Sequence, residues 1–151
     1  MSVDLATRIQ LGLGELTRVR EQMSPLIAKV SQPELNVIET AAACAMLHSF
    51  YTEIEKIFER IAREWDEYVP TSGSWHRDLL DQMADVRPNR SPVISADLVI
   101  SLDELLSFRH LYRGASIVLM RWDKLSPLVA KVVPVHAEVV KQLTQFGEFI
   151  K

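Results

Sequence analysis

From Phe50 to Tyr68 the chain reads F-Y-T-E-I-E-K-I-F-E-R-I-A-R-E-W-D-E-Y, and no Gly or Pro occurs anywhere between Glu34 and Val69. Phe50, Ile54, Ile57, Ile61, Trp65 and Tyr68 recur at spacings of three and four, which is one apolar stripe of an α-helix. Glu59, Arg63 and Glu67 follow at i, i+4 intervals on another side, the pattern of a solvated helix face. The spacing predicts one long helix here, started by Ser31 as N-cap and by Pro33, whose fixed φ suits a first turn.

Upstream, Leu5, Ile9, Leu13, Leu16, Val19 and Met23 predict a helix within Val3 to Val30. Gly12 and Gly14 weaken it by roughly 1 kcal/mol each relative to Ala, so it must lean on its neighbours. Downstream, the turn Thr71-Ser72-Gly73-Ser74 leads into a short helix capped by Ser74, with Trp75, Leu79 and Met83 on one side and an end near Asp85. The prolines of Arg87-Pro88-Asn89-Arg90-Ser91-Pro92 break the chain again. Ser95 then reads as the N-cap of a helix running to about Met120, and a last helix after Asp123 is expected to be kinked or interrupted at Pro134. No strand pattern, internal repeat or low-complexity segment is present. The expected architecture is all-α, an antiparallel up-and-down bundle of four to five helices forming one domain over residues 1–151.

Composition agrees with this reading. Hydrophobic residues at 48% and charged residues at 25% are globular rather than disordered usage. Apolar runs such as Ala41 to Leu47 fall well short of the roughly 20 residues of a membrane span. The single Cys44, among alanines, reads as a small buried thiol. Met1-Ser2-Val3-Asp4 has no signal-peptide character, so a cytoplasmic location is expected. A net charge of -3 disfavours nonspecific coating of nucleic acid but allows a local basic patch.

There is no glycine-rich phosphate loop, C-x-x-C, H-E-x-x-H or G-x-S-x-G, and His48, His76, His110 and His136 have no metal-ligand spacing. Neither a metal nor a cofactor is therefore expected. Two polar groups remain. In Trp75-His76-Arg77-Asp78, His76 and Arg77 at a helix start could hold a phosphate; alternatively Trp75 plugs the bundle end and the polar three are solvated. In Phe108-Arg109-His110-Leu111-Tyr112-Arg113, Arg109 and Arg113 share a face with Leu102, Leu105, Leu106, Ser116 and Met120. Arginines on such a stripe need carboxylates, a phosphate or a wet subunit interface, because an unpaired buried guanidinium is very costly.

The blocks F-Y-T-E-I-E-K-I-F-E-R-I-A-R-E (Phe50 to Glu64), G-S-W-H-R-D-L-L-D-Q-M (Gly73 to Met83), S-P-V-I-S (Ser91 to Ser95) and F-R-H (Phe108 to His110), with Trp122-Asp123-Lys124-Leu125 and Pro127-Leu128, resemble the HepT-like proteins of the HEPN superfamily. The resemblance spans about two-thirds of the chain. It implies a helical bundle that dimerises, and a metal-independent ribonuclease toxin paired with a minimal nucleotidyltransferase antitoxin. It also implies a motif R-x-x-x-x-H-x-Y, in which the His assists proton transfer and the Arg stabilises phosphate charge. Arg109 falls on the motif arginine, but Gly114 stands at the histidine position and Ser116 at the tyrosine position. His110 could substitute only by moving the base about 6 Å along the helix. Misplacement by about 1 Å can already cost 100-fold in rate.

Three readings follow. In the first, a catalytically impaired HepT-like protein binds a minimal nucleotidyltransferase or RNA. In the second, an active ribonuclease toxin uses Arg109 and His110, with help from Arg113. In the third, Arg109 and Arg113 merely serve a dimer interface.

Overall fold

The structure, a computed structural model, describes residues 3–114 and 119–151, the side chains at 113 and 114 excepted. Its order is α1 (Leu5–Gln22), α2 (Ser24–Ile27), α3 (Val37–Ile61), α4 (Trp75–Ala84), α5 (Ala96–Gly114) and α6 (Trp122–Phe149). No strand occurs among the described residues; the nearest thing is the isolated bridge that closes the turn from Arg87 to Arg90. The all-α bundle expected from the periodicities is therefore the observed fold. No helix among the described residues is long and apolar enough to cross a membrane.

Helix α3 is the axis of the bundle and packs against α1, α4, α5 and α6. Its Phe50, Ile54, Ile57 and Ile61 are all buried, as their spacing requires. Around them lie Ile9, Leu13 and Leu16 of α1, Leu79, Leu80 and Met83 of α4, Leu102 and Leu105 of α5, and Val129, Val132, Val139 and Leu143 of α6. Each buried aliphatic side chain contributes about 1.5–3 kcal/mol through removal of apolar surface from water. Cys44 is buried within the same core, and burial pushes its thiol pKa up.

The helix ends depart from expectation in several places. The cap of α3 is Asn36, whose side-chain oxygen accepts the Glu39 backbone N–H at 2.8 Å, so Ser31 and Pro33 lie outside the helix. The first helical region is cut after Gln22, and α2 begins afresh with Pro25 at its start, where a missing N–H costs nothing. The far end of α3 widens into a π-helical turn over Ala62–Asp66, closed by Glu67 in a left-handed conformation with φ 57°. Tyr68 is thereby thrown off the stripe and is 56% exposed. Helix α6 runs through both Pro127 and Pro134 without interruption, its buried stripe from Leu125 to Phe146 outweighing the lost hydrogen bonds. Finally, α5 is helical as far as Gly114 and Met120 is not helical, while residues 115–118, over which the expected run to about Met120 would continue, lie outside the described residues.

Two expected starts are found. Asp97 occupies the first turn of α5, and Ser95 Oγ accepts the Leu98 N–H at 3.1 Å. Ser74 precedes α4 as expected, but its hydroxyl turns to Asp78 Oδ2 at 3.3 Å rather than capping a backbone N–H.

Candidate functional site

Three helices bring one polar group each to a common point beside the core. Glu55 stands on α3 one turn after Tyr51 and one turn before Phe58, both of them buried, so its carboxylate projects from an apolar face and is itself 4% exposed. His76, the second residue of α4, places Nδ1 2.7 Å from Glu55 Oε2. Arg109 of α5 completes the group, with Nη1 3.3 Å from both ring nitrogens of His76.

That equidistance has a geometric meaning. A nitrogen in the ring plane at equal distances this short would collide with ring carbon, so the guanidinium lies over the face of the imidazole. The Trp75 ring stacks on His76 with centroids 3.5 Å apart. One face cannot hold both, so indole and guanidinium take opposite faces. With both faces covered and Nδ1 turned to Glu55, the Nε2 edge remains, and 19% of the side chain is exposed. Nδ1 donating to a carboxylate leaves Nε2 as the acceptor in the neutral ring.

The charges are arranged with equal economy. Glu55 is a buried carboxylate compensated through His76 by Arg109, which avoids the cost of an isolated buried charge. The Nε of Arg109 is buried with no hydrogen-bond partner among the described residues. Tyr51 senses the same group: burial, then the Glu55 charge, push its phenol far up, with Asp81 acting in the same direction, while Arg109 and Arg77 pull it down.

Of the residues singled out from the sequence, His76 and Arg109 are brought together, although they were assigned to two separate groups. Arg77 is not a free cation, since its Nη1 pairs with Asp103 of α5 and its Nε lies 3.7 Å from Asp81. His110 is exposed, whereas Arg109 beside it turns inward to His76. Gly114 lies in α5; the side chain of Arg113, and Ser116 altogether, lie outside the described residues. Glu55 escaped the sequence reading. Its signal was a carboxylate four residues after Tyr51 and three before Phe58, where an apolar side chain would continue the stripe.

A second polar cluster holds the end of α3 to the loop after α4. Arg90 has a fully buried side chain and uses all five N–H groups: Asp66 Oδ1 at 2.7 Å, Asp66 Oδ2 at 2.8 Å, and the carbonyls of Asp85, Ser91 and Gln82 at 2.8, 3.1 and 3.1 Å. Gln82 Nε2 donates to Asp66 Oδ2 at 2.9 Å and to the Tyr68 carbonyl at 3.0 Å. With every donor of Arg90 used on protein groups, this is a structural latch rather than a ligand site, although Gln82 Oε1 is buried with no hydrogen-bond partner among the described residues.

Among the described residues no group of three or more His, Cys, Asp or Glu is placed to hold a metal ion. No curated protein and no solved structure matches the chain. A family model does: the HepT-like protein model matches residues 42–150, which takes in α4, α5 and α6 whole and most of α3. The blocks that carried the resemblance fall inside that match, and with it covering well over half of the chain, the protein belongs to the HepT-like family of the HEPN superfamily.

Proposed function

We propose that this HepT-like protein is the HEPN component of a toxin–antitoxin type system, that its α5 motif is catalytically impaired, and that it acts by binding a minimal nucleotidyltransferase or RNA. One observation carries the reading: α5 offers no histidine that works with Arg109. The motif position is Gly114, and His110 is exposed while Arg109 faces inward to His76. Consecutive residues on a helix point about 100° apart, so the two cannot address one phosphate from the same side.

The test has two arms. Purified protein is mixed with a minimal nucleotidyltransferase and, separately, with tRNA, and complexes are scored by size-exclusion chromatography and by gel shift; at least one complex is expected. Any metal-free cleavage of the tRNA is expected to be slow and unchanged in His110→Ala. Absence of both complexes, or cleavage that disappears in His110→Ala, overturns the proposal.

A further inference from the structure

The impairment concerns the histidine of α5; the structure supplies another histidine from a different helix. We propose that His76, held by Glu55 and covered by Arg109, is an acid–base residue that acts on the RNA backbone in place of the one α5 lacks. The inference rests on the reading above that RNA is a ligand, but it needs neither His110 nor Gly114.

The arrangement meets the requirements of a general base. Glu55 Oε2 at 2.7 Å fixes the Nδ1 proton and the ring orientation, which leaves the Nε2 lone pair on the part of the ring turned away from Glu55, in a side chain 19% exposed. Arg109 places a permanent positive charge against the same ring, and its buried Nε–H has no partner among the described residues. The hydrogen-bond partners of His76 among the described residues, Glu55 and Arg109, include no hydroxyl or thiol for it to activate. A substrate that carries its own fits this chemistry, and RNA does so in the ribose 2′-hydroxyl beside each phosphodiester. Nε2 takes the 2′-hydroxyl proton as the 2′-oxygen bonds to phosphorus. The bond from phosphorus to the 5′-oxygen breaks, and that oxygen takes a proton from solvent. The products are a 2′,3′-cyclic phosphate and a 5′-hydroxyl, and Arg109 offsets the charge that builds on the phosphate oxygens.

Glu55 is a positioning residue, because it acts through His76. Tyr51 and Glu55 of α3, Arg77 and Asp81 of α4, and Asp103 and Arg109 of α5 are among the ionisable groups gathered here.

The experiment measures metal-free cleavage of a short RNA by the full chain, with a 2′-deoxy analogue as control. Wild type is expected to cleave only the ribose substrate. His76→Ala should lose about 100-fold or more, the usual worth of a positioned acid–base group, and added imidazole should restore part of the rate. Rescue is the readout that a merely structural role would not give. Glu55→Gln is expected to lower kcat while leaving KM near the wild-type value, because the amide no longer fixes the Nδ1 proton and the ring orientation. No wild-type cleavage, a His76→Ala rate equal to wild type, or a loss that imidazole leaves unrepaired overturns the assignment. The binding role stands if wild type forms complexes without cleaving, and both readings fall if cleavage depends on His110 instead.

Discussion

At the scale of single residues, the arginines separate by how completely they are satisfied. Arg90 uses all five donors on Asp66 and three carbonyls, while Arg109 keeps one buried donor unused. Removing Arg90 would take the bidentate partner from Asp66, whose side chain is 0% exposed, and leave it only Gln82 Nε2 and the Arg87 guanidinium at 3.6 Å. Arg90→Ala is therefore expected to destabilise the fold by about 3–5 kcal/mol in urea denaturation. Arg90→Lys should recover only part of that loss, because an ammonium cannot reproduce the bidentate fork. The role of Arg90 was not legible in the loop Arg87 to Pro92, whose prolines announce a break but say nothing of what a side chain meets 24 residues away.

Among elements, the two glycines of α1 turn out to be unlike. A Cβ on Gly12 would come 2.8 Å from Ile57 Cγ1, so the bare glycine lets α1 approach α3 closely. A Cβ on Gly14 would meet nothing within 4 Å. Gly14→Ala should stabilise the protein by about 0.5–1 kcal/mol through helix propensity and a less free unfolded chain. Gly12→Val should destabilise it by about 1–3 kcal/mol through overpacking, since Ile57 is itself buried. Thermal melts of the two variants should move in opposite directions. The sequence treats both glycines alike as weak points, because propensity is a property of one helix and close approach is a property of two. Helix ends follow the same logic: Ser95 is readable as a cap from its neighbours, whereas α3 passes over Ser31 for Asn36, whose oxygen reaches the Glu39 N–H.

For the whole molecule, two part-buried groups, Asp66 and His136, tie stability to acidity with the same sign. Burial would raise the Asp66 pKa, but hydrogen bonds from Arg90 and Gln82 and the charges of Arg90 and Arg87 hold it below the ordinary carboxylate value. Its stabilisation is present above about pH 4 and is lost as pH falls through the lower folded value. Burial, aided by Arg20 and opposed by Glu21, depresses His136, which hydrogen-bonds to Thr17 at 2.9 Å across the α1–α6 contact. A histidine kept neutral in the fold contributes stability above about pH 6.5, and this too is lost on acidification. Melting temperature is expected to hold near pH 7–8, to start falling below about pH 6.5 and to fall further below about pH 4. His136→Gln should flatten the first of these steps, and a first step of unchanged size in that variant would show the assignment to be wrong. What the sequence determined by itself is the all-α class, the course of α3 and the short α4, because apolar periodicity is local and survives without a partner. Only the tertiary structure decided that His76 meets Glu55 and Arg109, 21 and 33 residues away, and that Arg90 meets Asp66. Those meetings depend on how three helices cross, and the crossing is fixed by many apolar contacts at once rather than by any stretch that can be read alone.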